Sequence, residues 1–336
     1  MQERSRCNDP LFEIEFALFL RETRTTMAIS WYPGHMHKAN KEMAALIKNI
    51  DVVIEVLDAR MPRASSNPLL QKMRQGKPCL HVLNKADLAN PHITREWLDY
   101  FNAQPLSLAV TSGKEKRLET ADVLFLCQKL IKKVKRDQPP APKEEATTPE
   151  LAALRAWKKE HKKQQILIVG IPNVGKSTIM NTLLRKKIAR TGNEPAITKG
   201  QQRVRLNDNW YLVDTPGVLW PKLEDQAAAY RLAMSGAIRN TAMEFLDVAV
   251  FAAQVLIDQF PERLKERYKL EELPADADTF LHDLAIARGC VRKDKNIDWN
   301  RIAEFLINDY RAGRFGALSL ERPSDPVPST IEPTQD

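Results

Sequence analysis

The sequence predicts an α/β fold, built on a doubly wound and mostly parallel sheet, followed by a smaller all-helical C-terminal domain. Short apolar segments that read as buried strands alternate with segments of helical periodicity up to about residue 222. Polar motifs follow several of these strands directly, as expected where ligands bind at the carboxyl ends of parallel strands. From about residue 226 the strand signals stop and only helical spacing remains.

The predicted elements alternate in the order that a doubly wound sheet requires. Predicted strands lie at residues 51–57, 79–83, 106–110, 166–169, 201–206 and 210–213. Helical spacing of apolar side chains occurs around residues 39–50, 124–131, 176–187, 242–260, 276–288 and 298–312. Asp298 is a suitable N-cap for the last helix, and Gly289 and Gly313 follow the ends of the last two.

Shifts in composition place the predicted domain boundaries. Residues 1–26 fit neither a signal peptide nor a transit peptide, because acidic residues interrupt their apolar run and outnumber their arginines. We expect translation to start at Met27, with an additional N-terminal helix as the alternative. Residues 27–222 form the predicted sheet domain, with a proline-rich linker at about residues 137–150. Residues 226–322 form the helical domain, and residues 323–336 form a tail.

Composition narrows the class of protein. The chain has 336 residues and a net charge of +8, which suits about two domains and is compatible with a polyanionic partner. Its four cysteines show no metal-ligand spacing, which argues against a disulfide framework and a zinc finger and favours a reducing compartment. No apolar run reaches the roughly 18 residues of a membrane span. We therefore expect a cytoplasmic protein with no membrane partner.

A phosphate-binding loop is the strongest motif. Residues 170–177 read G-I-P-N-V-G-K-S and fit G-x-x-x-x-G-K-[ST] between a predicted strand and a predicted helix. The backbone amides are expected to face the β-phosphate of a nucleotide, with Lys176 adding charge near the β- and γ-phosphates and Ser177 offering a hydroxyl to Mg²⁺. The predicted phosphate-binding residues are Asn173, Val174, Gly175, Lys176, Ser177 and Thr178.

A second motif reads the base. Residues 84–87 follow a predicted strand and match N-K-x-D. The Asp87 carboxylate can accept hydrogen bonds from guanine N1 and N2, whereas adenine has no matching donors, so GTP is favoured over ATP. Residues 111–113 read T-S-G at the next strand end, which departs from the common S-A-K form, and a plain turn is an equally good interpretation. The predicted guanine-binding residues are Asn84, Lys85, Asp87, Thr111 and Ser112.

The order of the motifs indicates the architecture. Asp214 ends a predicted strand and begins D-T-P-G, in which Asp214 is expected on the Mg²⁺ side and the Gly217 amide near the γ-phosphate. In an ordinary GTPase the phosphate loop precedes the base-reading motif, but here residues 84–87 come before residues 170–177. A parallel sheet tolerates this order if the former chain ends are joined, as the proline-rich linker would do. The sequence therefore predicts a circularly permuted P-loop GTPase domain.

Further positions concern hydrolysis. Thr198 lies between the helix after the phosphate loop and the next strand, and is the best candidate for a threonine that closes on Mg²⁺ and the γ-phosphate; Thr191 is the alternative. Val218 follows D-T-P-G, where many GTPases have a water-orienting glutamine, so hydrolysis is expected to be slow without another group. Asn173 is a candidate ligand of K⁺, which would add positive charge, or else a simple loop residue.

Three segments outside these motifs carry a family resemblance. Residues 31–36 read W-Y-P-G-H-M, residues 58–62 read D-A-R-M-P, and residues 309–323 close the helical domain. With the permuted motif order, they make the chain resemble the ribosome biogenesis GTPase A family, also called YlqF-type, over about residues 27–323. The resemblance implies a GTPase of large-subunit assembly that the large ribosomal subunit and K⁺ stimulate, with His35 in place of the missing glutamine. From sequence alone, capping or packing is the simpler interpretation of His35.

Positive charge is concentrated around the linker. Residues 129–163 contain eleven lysines and arginines against five acidic residues, a net charge of +6. Such a segment would bind a phosphate backbone with salt-dependent affinity, or else be a solvated linker and helix face. The leading interpretation is an assembly GTPase that binds GTP or GDP, ribosomal RNA and ribosomal proteins. The alternative is a guanine-nucleotide switch that acts on a protein effector without binding the ribosome.

Overall fold

The structure is a computed structural model. It describes residues 41, 43–74, 76–137, 163–184, 202–215, 225–238, 244–293 and 296–326. These ranges include the strands on both sides of the permutation, the phosphate loop and the C-terminal helices.

One sheet organises the described part of the chain. Its strands are β1 (Val52–Asp58), β2 (Cys79–Asn84), β3 (Ser107–Thr111), β4 (Gln164–Gly170), β5 (Gln202–Arg205) and β6 (Trp210–Asp214). Their order is β3-β2-β1-β4-β6-β5, and every pair is parallel except β5 with β6. The strand before the base-reading motif and the strand before the phosphate loop are therefore separated by β1 alone. This mostly parallel sheet confirms the predicted fold class.

Helices precede, separate and follow these strands. Within the described ranges they are α1 (Pro62–Ser65), α2 (Pro68–Arg74), α3 (Pro91–Ala103), α4 (Thr120–Asp137), α5 (Lys176–Leu184), α6 (Gln226–Ser235), α7 (Phe245–Gln259), α8 (Pro261–Tyr268), α9 (Ala277–Ala287) and α10 (Trp299–Arg311). Residues 43–47 are also helical, and Ala86–Leu88 form a 3-10 turn. After residue 225 the elements in the described part of the chain are helices, apart from an isolated β-bridge between Val291 and Ile297, which agrees with the predicted helical C-terminal region. The domain boundaries themselves stay a prediction.

Several helices were not predicted although the sequence carries their end signals. The Asn90 side chain accepts hydrogen bonds from the amides of residues 92 and 93, and Pro91 occupies the first position of α3. Asp225 caps α6 in the same way, and Gly236 ends it in a left-handed conformation with φ of 84°. α3 also buries Ile93, Trp97 and Phe101 at helical spacing, so both its cap and its apolar pattern were available in the sequence.

The two faces of the sheet are buried by different sets of helices. Val52 and Ile54 of β1 belong to a large apolar cluster that extends through α4, α5 and α6 into α7, α9 and α10. Val53, on the opposite face, packs with apolar residues of the helix at residues 43–47 and of α2. Alternate residues of one strand thus face different layers, as a doubly wound sheet requires. None of the described helices combines the length and apolar character needed to cross a membrane.

The segment after α10, residues 318–323, runs back onto the sheet region and is called the C-terminal strap. The indole Nε1 of Trp97 in α3 donates to the Glu321 carbonyl at 3.1 Å. The buried Glu321 carboxylate accepts the amides of Arg63 at 2.9 Å and Ala64 at 3.2 Å, at the start of α1. The strap therefore supplies hydrogen-bond acceptors to amides that α1 cannot pair internally.

Candidate functional site

The phosphate loop connects β4 to α5 and is shaped by close contacts. A side-chain carbon on Gly170 would lie 2.8 Å from the Val56 carbonyl oxygen, so only glycine fits where the loop begins. Asn173 and Gly175 adopt left-handed conformations, with φ of 57° and 97°. Such positions turn successive amides toward a common concave centre that suits an anion. The N-terminus of α5, at Lys176, adds to the positive potential.

Lys176 and Asp214 form a buried ion pair at the base of this loop. The Nζ atom of Lys176 donates to Asp214 Oδ1 at 2.7 Å. Burial lowers the pKa of Lys176 despite the neighbouring carboxylate. The other carboxylate oxygen, Oδ2, is buried and has no hydrogen-bond partner among the described residues. A hard divalent cation would satisfy such an oxygen, so the residues present fit Mg²⁺.

The remaining phosphate-side predictions fall partly inside the described ranges. Val174 is buried, Ser177 is half-buried, and Thr178 is exposed in the first turn of α5. Asp214 is held in place by its strand, because β6 pairs with β4 with Asp214 opposite Ile168. His35, Thr198 and Gly217 lie outside the described residues, so their roles stay predictions.

The base-reading motif is hydrogen-bonded to the phosphate loop. Asn84 ends β2, and its Nδ2 donates to the Val174 carbonyl at 2.7 Å. A side-chain carbon on Gly175 would collide with the same amide nitrogen. Two motifs that are 90 residues apart in the chain therefore meet directly. This contact joins the halves of the nucleotide site that the permuted order predicts.

Asp87 lies beside the segment that follows β3. Its partly exposed carboxylate accepts a hydrogen bond at Oδ1 from the Lys114 amide, at 3.1 Å. The Ala86 amide donates to the Ser112 carbonyl at 3.0 Å, which ties the motif to this segment. Thr111 is the last residue of β3. The predicted guanine-binding residues are thus neighbours, at the carboxyl edge of β2 and β3.

Comparisons with known proteins identify the family. The family model described as "50S ribosome-binding GTPase" matches residues 165–282. The ribosome biogenesis GTPase A of Bacillus pumilus is 41% identical over 298 residues, which cover 88% of this chain and 99% of that relative. The chain belongs to the ribosome biogenesis GTPase A family. Members of this family are GTPases, which agrees with the joined guanine and phosphate motifs.

A more distant relative and a solved structure support the same assignment. The mitochondrial ribosome-associated GTPase 1 of Xenopus tropicalis is 30% identical over 310 residues, covering 87% of this chain and 94% of that protein. The crystal structure of GNP-bound YlqF from Thermotoga maritima is 25% identical, with a TM-score of 0.56, and the match covers 86% of this chain and 99% of that one. The family-model match begins at β4 and leaves out residues 84–87, as a permuted motif order would cause.

Asp58 and Arg60 received no role from the sequence, yet both lie beside the base-reading motif. Asp58 ends β1 opposite Asn84, and its buried carboxylate accepts hydrogen bonds from Arg60 Nη2 at 2.8 Å and Lys85 Nζ at 2.9 Å. Burial alone would raise the pKa of Asp58, but the two cations hold it well below its usual value. The sequence signal that could have identified Asp58 was an aspartate at the end of a buried strand, where ligand-binding groups are expected.

Asn173 links the phosphate loop to the helices that follow the sheet. Its Nδ2 donates to the Gly236 carbonyl at 2.7 Å, at the C-terminal end of α6. The Asn173 side chain therefore helps to hold the phosphate loop against the C-terminal end of α6. Its predicted role as a K⁺ ligand stays a prediction.

A buried group of Glu55, Cys79 and His81 was also missed, because its members come together only when β1 and β2 pair. The fold brings the three side chains together on β1 and β2. His81 Nδ1 lies 3.1 Å from Glu55 Oε2, and the imidazole stacks on Phe101 with ring centroids 4.3 Å apart. Burial would lower the pKa of His81, but Cys79 and Glu55 raise it to about 10. The Glu55 carboxylate and the His81 imidazole are close enough for a buried ion pair when His81 is protonated.

Proposed function

We propose that this GTPase assists assembly of the large ribosomal subunit, docks in its GTP-bound form and leaves after hydrolysis. The observation that carries the proposal is the hydrogen bond from Asn84 to the Val174 carbonyl. It supports a complete guanine-nucleotide site in a chain that is 41% identical to a ribosome biogenesis GTPase A over 298 residues.

In this proposal the phosphate end of the site binds and polarises the triphosphate. The loop amides and Lys176 hold the β- and γ-phosphates, for which Lys176 must exchange its contact with Asp214 for a phosphate oxygen. Mg²⁺, held by Ser177, Asp214 and Thr198, would neutralise phosphate charge when bound. The amides of Val174, Gly175, Thr178 and Gly217 complete the set of phosphate contacts.

The guanine end of the site provides specificity. Asp87 accepts hydrogen bonds from guanine N1 and N2, and the Lys85 side chain lies along the base. Asn84 holds the phosphate loop against the base-reading motif, while Thr111 and Ser112 support the base from the next strand end. The hydrogen bond between Ala86 and Ser112 supports this arrangement because it fixes the two segments together.

Hydrolysis requires a group that orients the attacking water. Val218 cannot do so because its side chain has no hydrogen-bonding atom. We assign this role to His35, on the family resemblance of residues 31–36. K⁺, with Asn173 as a ligand, adds positive charge near the phosphates and stimulates turnover. We expect turnover to be slow until the large subunit completes the geometry.

A basic face on α4 is the proposed RNA contact of this cytoplasmic protein. Phe125 is 70% exposed, and Lys129, Lys132 and Arg136 are exposed at positions four, seven and eleven residues further along the helix. This spacing places all four side chains on one face of the helix. Lysine and arginine bind phosphates, and an aromatic ring offers a stacking surface to an unpaired base.

Sedimentation through a sucrose cushion with purified subunits tests the proposal. The protein should pellet with large subunits in the presence of a non-hydrolysable GTP analogue, much less with GDP, and not with small subunits. A Lys176→Ala variant should lose the dependence on the analogue, because it cannot hold the γ-phosphate. If the protein still binds GDP but pellets with neither subunit, the result would instead favour a switch acting on a protein effector.

A further inference from the structure

The Asp58 carboxylate lies between the guanine site and the C-terminal helices. It accepts hydrogen bonds from Arg60 Nε at 2.9 Å and Nη2 at 2.8 Å, so the two side chains form a two-point ion pair. It also accepts Lys85 Nζ at 2.9 Å. The buried Asp58 carboxylate therefore holds both Arg60 and Lys85, and Lys85 is the lysine of the base-reading motif.

Lys85 needs such fixing because of its backbone. Its φ is 58°, a left-handed conformation that a non-glycine residue adopts at a cost. The ion pair with Asp58 orients this residue between Asn84, which contacts the phosphate loop, and Asp87, which is placed to read the base. The position of Asp58 thus determines how accurately the whole motif is presented.

Arg60 carries the connection to α10. Its Nη1 donates to the Tyr310 carbonyl at 3.2 Å, and its guanidinium carbon lies 4.4 Å from the centre of the Tyr310 ring. Its own carbonyl accepts the Leu320 amide at 2.7 Å, from the C-terminal strap. A single arginine therefore contacts the helix, the strap and Asp58 at once.

A structural change at one end of the network that joins Lys85, Asp58, Arg60 and α10 must alter the contacts at its other end. Asp58 and Arg60 are both almost completely buried, so neither charge can move away from the other into water without leaving a buried ion unpaired. If α10 and the strap shift, Arg60 must shift with them, and the Asp58 contact to Lys85 changes.

We propose that Asp58 and Arg60 are positioning residues that couple guanine-nucleotide binding to the seating of α10 and the C-terminal strap on the sheet. The coupling rests on the proposed guanine-binding role of Lys85 and Asp87. Because such linkage is reciprocal, nucleotide binding tightens the contact of α10, and loss of that contact weakens nucleotide binding.

Arg60→Lys tests the coupling in the full-length protein. The variant keeps a positive charge beside Asp58 but loses the two-point pair, the bond to the Tyr310 carbonyl and most of the stacking. We expect its GDP affinity, measured by titration calorimetry, to fall about five- to fifty-fold. Arg205→Lys is the control, because Arg205 ends β5 and pairs with the exposed Asp208 rather than with Asp58 or a residue of α10.

Hydrogen exchange distinguishes the coupling from a purely structural role of Arg60, because a structural role alone would not change the protection of α10 by GDP. In the wild-type protein, GDP should slow amide exchange across Trp299–Arg311, the span of α10. Arg60→Lys at saturating GDP should lose this protection, while Arg205→Lys should keep it. GDP binding by the wild type without protection of α10, together with unchanged affinity of Arg60→Lys, would overturn the coupling alone. Failure of the wild type to bind GDP would overturn the proposed function as well.

Substitutions at Tyr310 keep the test decisive if Arg60→Lys does not fold. The Tyr310 hydroxyl is buried without a hydrogen-bond partner among the described residues, so Tyr310→Phe keeps the ring that Arg60 contacts. Tyr310→Leu removes that ring. We expect Tyr310→Leu to bind GDP more weakly and Tyr310→Phe to recover most of the lost affinity. Equal GDP affinity of these two variants would refute the coupling.

Discussion

Replacing Asp87 by asparagine should change which base the protein binds. The carboxylate accepts one hydrogen bond in the described structure, from the Lys114 amide to Oδ1 at 3.1 Å. In Asp87→Asn the carboxamide oxygen is expected to keep that bond, so its NH₂ group would face the base. That group repels the N1 and N2 donors of guanine but can donate to the carbonyl at C2 of xanthine.

The size of this effect follows from the hydrogen bonds involved. A hydrogen bond to a charged group contributes about 1.5–3 kcal/mol, and the substitution places an NH₂ donor where the carboxylate would accept from guanine N1 and N2. We expect a loss of about 2–4 kcal/mol, which is about 30- to 1,000-fold in the affinity for GDP.

Titration calorimetry with GDP and with xanthosine diphosphate measures both parts of the prediction. The variant should bind xanthosine diphosphate more tightly than GDP, reversing the wild-type preference. Asp99→Asn, at an exposed carboxylate of α3, is the control for loss of charge and should bind GDP as the wild type does. A GDP affinity of Asp87→Asn within threefold of the wild type would refute the assignment of Asp87 as the guanine-reading residue.

Three further predictions concern stability and the proposed RNA-binding face of α4. Glu321→Ala should lower the free energy of unfolding by about 2–4 kcal/mol in urea titrations, because it leaves amides of α1 unpaired. Glu321→Gln should lower it less. Equal stability of the two variants would argue against this capping role. The folded-state pKa of His81, about 10, exceeds its unfolded value of 6.5, so its protonated form stabilises the fold below pH 6.5 and this contribution is lost as the pH rises through 10. The free energy of unfolding of the wild type, measured by urea titration, should therefore fall over that pH window more than that of His81→Phe. Parallel pH profiles of the two proteins would count against the ion pair. Phe125→Ala combined with Lys129→Gln should reduce large-subunit binding and its salt dependence while leaving basal GTP turnover unchanged, and a binding curve that overlays the wild type at every salt concentration would exclude this face.

The sequence predicted the chemistry better than the connections between distant segments. The strand ends that carry Asn84, Gly170 and Asp214 could be placed because apolar strands run directly into polar motifs, and a parallel sheet brings such ends to one edge. The proximity of Asn84 to the phosphate loop follows from the same reasoning, whereas the hydrogen bond to the Val174 main-chain carbonyl was not predicted.

The pairing of Arg60 with the Tyr310 carbonyl could not be predicted in this way. The two residues are 250 positions apart, and a main-chain acceptor leaves no signature in the residue type. Glu321 is similar, because its role depends on amides that are presented by a helix of four residues at Pro62–Ser65. The group of Glu55, Cys79 and His81 was missed for a different reason: its members come together only when the register of β1 and β2 is known.

Ribosome-dependent GTP hydrolysis is tested by measuring GTP turnover of the purified protein in potassium buffer, with and without purified large ribosomal subunits. We expect slow turnover by the protein alone, strong stimulation by large subunits and none by small subunits, with a lower rate when sodium replaces potassium. Turnover that neither subunit changes would contradict a ribosome-dependent GTPase and would point to a protein effector as the partner of the nucleotide switch.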